Sequence, residues 1–223
     1  MKLIIHGYPH SGTTLLQRII SSIDSVHNID NETHLITDKM IQDAQNKHVL
    51  IKHPFSLTTF FLPEYDDYVK IWIIRNPYYI YSSINKRFKN KIPENHNITR
   101  CLNTIYNFMY FKNINKPKNT FYIKYEEMFD NNFLIIRNML DTLGISYNND
   151  IFINKEDNVY KQIPSDSDYL NKEYRKWQVQ QTYEYKDVNR PVYLTKTQID
   201  ILDNSPYMKN IGYTRPATVH IID

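Results

Sequence analysis

Residues 2–23, KLIIHGYPHSGTTLLQRIISSI, set a short apolar run, a loop holding two of the chain's four glycines, and a helix-spaced segment in direct succession. KLIIH stops at Gly7 and reads as a buried strand. Beyond it, Leu15, Leu16, Ile19, Ile20 and Ile23 recur at helical spacing. A strand feeding a helix through a glycine loop commits this end of the chain to an α/β arrangement. It also turns the first N–H groups of the helix, and the hydroxyls of Ser11, Thr13 and Thr14, toward one point that suits an anion. Gly12 lets a ligand approach the backbone closely. The plain alternative is an ordinary strand-to-helix turn.

The alternation continues. HVLIK (48–52), VKIWIIR (69–75) and TFYIKY (120–125) read as further strands, which makes four. Residues 78–88 after Pro77, 99–114, and 132–144 with Gly144 as the stop read as helices. Strands separated by helices predict a parallel, helix-covered α/β sheet. From about residue 150 the sequence turns polar and rich in Tyr and Lys, and it closes with a short helix near 196–210. The last ten residues read as a strap or loose end. The expected organisation is one domain over 1–223, with a core to 150 and a C-terminal extension over 151–223.

Nineteen tyrosines and ten phenylalanines favour a folded chain over a disordered one. A net charge of +3 with mixed signs argues against a general nucleic-acid coat. The single cysteine, Cys101, excludes an internal disulfide and a cysteine zinc cluster. No run approaches the ~20 apolar residues of a membrane span, and the opening apolar run is too short for a signal peptide. The expectation is a soluble, cytoplasmic protein. His6, His27, His34 and His48 lack metal-ligand spacing, and no metal is expected. The two glycosylation sequons, at Asn31 and Asn97, are read as chance in an Asn-rich chain.

Gly7-x-x-x-x-Gly12-Thr13-Thr14 is nearly G-x-x-x-x-G-K-[ST], the loop that cradles nucleoside triphosphates, but Thr13 stands in the lysine's place. That lysine and a magnesium ion neutralise a triphosphate. Without it, a nucleotide with fewer phosphates is easier to accommodate. A transferring sulfuryl group, less charged than a phosphoryl group, needs less neutralisation.

The segment GYPHSGTTLL resembles the 5′-phosphosulfate loop of sulfotransferases that use 3′-phosphoadenosine-5′-phosphosulfate (PAPS). The same family has an arginine after a strand and a serine eight residues on, and IIRNPYYIYSSINKR offers Arg75 and Ser83 at that spacing. FYIKYEEM resembles its strand-end Tyr-Glu-Asp segment. Within the family the chain looks most like the tyrosylprotein branch. NETHLI and IKHPFSL are similar to that branch's Glu-Thr-Arg and Lys-Asp-Pro-Phe segments, and Arg87 stands twelve residues after Arg75, as in that branch. Lys176-Trp177 and Ile211-Gly212-Tyr213 resemble its C-terminal signatures. The likeness spans nearly the whole chain.

The resemblance implies a P-loop-NTPase-like parallel sheet flanked by helices, PAPS as co-substrate, PAP as product, and a hydroxyl-bearing acceptor. It implies donor binding by Pro9, His10, Ser11, Gly12, Thr13, Thr14, Arg75, Ser83, Arg87, Tyr125 and Lys176. Arg75 and Ser83 would hold the 3′-phosphate, and Tyr125 would lie beside the adenine. His10, the loop amides and Lys52 would stabilise the leaving phosphate. His10 replaces the usual loop Lys or Arg, so its charge depends on pH. Glu32 is the first choice of general base and His53, in an IKHP segment, the second. The acceptor stays open between sugar, lipid, phenol and peptide tyrosine, because the anchor and disulfides of the tyrosylprotein enzymes are absent. A nucleotide or small-molecule kinase with a degenerate P-loop, and a non-catalytic nucleotide-binding relative, remain alternatives. Oligomeric state has no signature here.

Overall fold

The computed structural model describes residues 1–54, 63–88, 92–114, 117–153, 183–185, 187 and 190–222. Its centre is a five-stranded sheet with every neighbour pair parallel, in the order β2-β3-β1-β4-β5. The strands are β1 (Lys2–Gly7), β2 (Val26–Glu32), β3 (His48–His53), β4 (Tyr68–Ile74) and β5 (Thr120–Lys124). All seven residues of β4 are buried, as a parallel sheet covered on both faces requires.

Alternation along the strands builds two faces. Leu3, Ile5, Leu50, Val69, Ile71, Ile73 and Ile123 point to one face. There they meet α1 (Thr13–Ser21), through Leu15, Leu16, Ile19 and Ile20, and α5 (Leu134–Thr142), through Ile136, Met139 and Leu140. On the opposite face, Trp72 and Ile74 pack on α3 (Pro77–Phe88) and α4 (Ile98–Asn113). Also on that face, Ile4, Val49 and Ile51 pack with Ile36 and Ala44 around α2 (Asp38–Asp43). Thr37 caps α2 by accepting the Met40 amide at 3.3 Å.

The predicted helix-covered parallel sheet is the observed one, but the strand count was short. β2 was missed because VHNIDNE carries little of the β-branched and aromatic character of a strand. It tolerates this as an edge strand, paired only through β3. The closing helix expected near 196–210 is two helices, α6 (Lys196–Asp203) and α7 (Pro206–Ile211), separated by Asn204 and Ser205, with Pro206 opening the second. The expected loose end contains β7 (Val219–Ile221), which pairs in parallel with β6 (Val192–Leu194). Leu194, Ile199, Leu202 and Met208 join the α3–α4 core. Among the described residues no helix is long and apolar enough to cross a membrane.

The carboxyl ends of the strands line up. His6 pairs with His53 and Trp72, Glu32 with Lys52, and Ile74 with Lys124. The chain reaches β3 on one side of β1 and β4 on the other, so the order reverses at β1. Open α/β sheets hold ligands at such a point, beyond the strand ends.

Candidate active site

The loop leaving β1 lies at this reversal. Pro9, Ser11 and Thr13 are buried, while His10, Gly12 and Thr14 are half-buried. The Ser11 amide bonds the Tyr8 carbonyl at 3.0 Å and the Leu16 amide bonds the Gly12 carbonyl at 3.0 Å, closing the loop onto the helix. Gly12 sits at the head of α1 with φ of 100°, and no side chain caps the first turn. The first N–H groups of α1 are thus left for an outside acceptor. The Ser11 hydroxyl is buried with no hydrogen-bond partner among the described residues. An orphan donor at an uncapped helix start fits a phosphate-like anion.

A β-carbon at Gly12 would collide with the Tyr125 ring. Together with the left-handed backbone, this makes glycine obligatory. Gly12→Ala is expected to cost about 2 kcal/mol from backbone strain alone, with Tyr125 displaced as well. Urea denaturation checks this, and an unchanged midpoint would refute it.

Lys52 supplies the cation that the loop sequence lacks. It belongs to β3, the strand beside β1, and is 3% exposed. Its ammonium donates to Thr14 Oγ1 at 3.1 Å, in the first turn of α1. The same nitrogen lies 3.2 Å from a Glu32 carboxylate oxygen across the β2–β3 pair. Two of the four residues predicted for the chemistry, Glu32 and Lys52, therefore meet at the loop.

His53 points elsewhere. Alternation puts Lys52 with Leu50 on the α1 face, and His53 with Val49 and Ile51 on the other. There its ring lies 6.3 Å from His6 and 5.6 Å from His34. Burial first, then His34, lowers its pKa, with Glu32 opposing. His10, with φ of 69°, shares a hydrogen bond of 2.9 Å with the Ser83 hydroxyl. Burial, then Arg87, His96 and Arg75, push its pKa well below the usual imidazole value. The ring is therefore held neutral, so it serves as a hydrogen-bonding group rather than as a cation.

Arg75 follows β4 directly and is 8% exposed. Its guanidinium lies 4.3 Å from the Tyr125 ring centre and its Nη1 donates to the His10 carbonyl at 3.1 Å. Nε and Nη2 donate to the two carboxylate oxygens of Asp187 at 2.8 and 2.6 Å. Burial opposes the Arg75 charge, but Asp187, Tyr125 and Glu126 together more than offset it, so the pKa is raised. Behind Arg75, the Asn76 amide donates to Glu126 at 2.8 Å, and the Tyr213 hydroxyl donates to the other Glu126 oxygen at 3.0 Å.

The loop residues, Lys52, Glu32, Arg75, Ser83 and Tyr125 thus gather at one end of the sheet, with Arg87 one helical turn beyond Ser83 on α3. Lys176 lies outside the described residues. Sequence reasoning missed Asp187 and His96. Asp187 bonds across 112 positions of chain, and no local pattern marks it. His96 sits 6.2 Å from the His10 ring, and its carbonyl accepts from Tyr81 at 2.9 Å, held by burial that periodicity does not report. No group of three His, Cys, Asp or Glu placed to hold a metal occurs among the described residues.

No protein-family model and no curated protein matches the sequence. Solved structures do. A mouse sulfotransferase, SULT7A1, complexed with PAP, matches over 95% of this chain and 88% of its own, with 17% identity and a TM-score of 0.59. The sulfotransferase domain of the curacin biosynthetic pathway matches over 96% and 98%, at 12% identity and a TM-score of 0.55. The sulfotransferase domain of the Synechococcus PCC 7002 olefin synthase matches over 97% and 96%, with the same identity of 12% and TM-score of 0.55. The chain has the α/β fold seen in sulfotransferases.

Proposed function

We propose that the protein is a sulfotransferase that moves the sulfuryl group of PAPS to a hydroxyl acceptor by in-line displacement. The observation that carries this reading is Lys52 at the loop. A phosphate cradle with threonine in the lysine position receives its cation from the adjacent strand, on the first turn of α1. The cradle takes the donor's 5′ side through the amides of α1, Ser11, Thr13 and Thr14. As the bond from sulfur to the bridging oxygen breaks, charge grows on the departing phosphate. Lys52 and the loop N–H groups meet that charge.

Glu32 is the preferred base. It lies at the carboxyl edge beside Lys52 and is part-exposed, where an acceptor hydroxyl has access. His53 faces away, among His6 and His34. The Glu32–Lys52 pair is also what the tyrosylprotein resemblance assigns to the reacting centre, and we place the chain nearest that branch. Arg75 and Ser83 take the 3′-phosphate, with a planar fork suited to a monoester, and Tyr125 takes the adenine.

The test is calorimetric titration with PAP and with ATP, each with and without magnesium. PAP is expected to bind with a dissociation constant in the micromolar range, unaffected by magnesium, and ATP at least about tenfold more weakly. Magnesium-dependent ATP binding without PAP binding would overturn the reading in favour of a kinase. PAP binding without sulfuryl transfer from labelled PAPS to any of a panel of sugar, lipid, phenol and peptide acceptors would reduce the protein to a nucleotide binder.

A further inference from the structure

We propose that Asp187 is an internal competitor for the donor's 3′-phosphate: its carboxylate occupies the recognition edge of Arg75 and must leave before that phosphate binds. The inference rests on the donor reading above.

Three observations carry it. The contact is bidentate, through Nε and Nη2 of Arg75 at 2.8 and 2.6 Å, the geometry in which a guanidinium grips a phosphate. Asp187 is 1% exposed, so the pair is shielded from solvent rather than a loose surface contact. Two residues earlier, Tyr185 lies against the same site, 6.1 Å from the Tyr125 ring and stacked 5.7 Å from Phe129. Tyr185 and Asp187 thus cover the two places where adenine and 3′-phosphate are expected.

A carboxylate and a phosphate cannot share one edge of a guanidinium. A nucleotide bearing a 3′-phosphate must displace Asp187, and only the fraction of molecules with Arg75 released is competent. A nucleotide with a free 3′-hydroxyl makes no claim on that edge. Asp187 therefore narrows the affinity gap between PAP and AMP. It also weakens retention of the product PAP, and product release limits turnover in many enzymes.

The experiment compares PAP and AMP binding to the wild-type chain and to Asp187→Asn. The amide keeps the shape but loses the charge, leaving the Nε–Nη2 edge of Arg75 without an anion until a phosphate arrives. PAP affinity is expected to rise by about tenfold or more, while AMP affinity changes by less than about threefold. Inhibition of turnover by PAP strengthens by the same factor. Unchanged or weakened PAP binding in the variant overturns the proposal, since Asp187 would then be inert or would orient Arg75 for the phosphate. No PAP binding to either protein overturns the donor reading and this inference with it.

If the variant does not fold, hydrogen exchange on the wild-type chain decides. The Arg190 amide, bonded to the Asp187 carbonyl at 3.1 Å, exchanges faster with PAP bound than with AMP bound. Equal or slower exchange with PAP overturns the proposal.

Discussion

Lys52→Met is expected to lower sulfuryl transfer about 10²–10³-fold, the usual loss when one preorganised donor to a developing oxyanion is removed. The effect falls on kcat. Ground-state binding of the donor is spread over the helix amides, Ser11, Thr13, Thr14 and Arg75, so the donor KM changes by less than about tenfold. Methionine matches the aliphatic length of lysine, so the 3%-exposed site stays filled. Its former partners tolerate the change: Thr14 is only half-buried, and the Glu32 side chain is 34% exposed and can be hydrated. The fold is therefore expected to survive, which circular dichroism checks before any rate is read. A loss of less than about tenfold would move the charge stabilisation elsewhere and remove Lys52 from the reacting centre.

Why Lys52 could be picked from sequence, and Asp187 could not, is a matter of range. The β1–loop–α1 unit lies within about twenty residues, and glycine chemistry and helix spacing report it directly. Arg75 and Ser83 are marked by a strand end and one helix. Lys52 ends an apolar strand, so its position beyond the core is legible. The contact with Asp187 closes across 112 positions from a stretch whose local pattern is neither strand nor helix. Glu32 was chosen for its segment, yet its strand was missed because β2 is polar and sits at an edge. The preference for Glu32 over His53 came from segment likeness; the alternation of β3, which puts Lys52 and His53 on different faces, is a separate argument in the same direction. Sequence also could not tell that His10 would be neutral, because burial and the guanidinium groups around it come from α3 and β4. Of the histidines that spacing alone excludes as metal ligands, His6 turns out to be buried, and this changes how the protein responds to acid.

The protein is expected to lose stability steeply as pH falls below about 6.5, with His6 a principal contributor. His6 is 1% exposed at the end of β1, and its Nδ1 bonds the His53 carbonyl at 3.2 Å. Burial, with His53 and Lys70 nearby, holds its pKa at about 3, against 6.5 for a free imidazole. Between those values the unfolded chain binds the proton and the folded chain does not. Stability is thus full above 6.5 and declines as pH falls toward 3. The full span is worth about 5 kcal/mol, comparable to the entire stability of a marginal domain. His10, His48, His53 and His96 are lowered too, each by burial first, and act in the same direction. Glu126 acts the other way. Burial raises its carboxyl above the usual value, so its contribution is present at low pH and is lost as pH rises through its folded value. His6→Gln isolates the His6 share, since glutamine can still donate to the His53 carbonyl but does not titrate. Between pH 7 and pH 5 the variant is expected to gain about 2 kcal/mol on the wild type, read from urea denaturation at each pH. Parallel curves would show that His6 takes up its proton as readily in the folded chain as in the unfolded one.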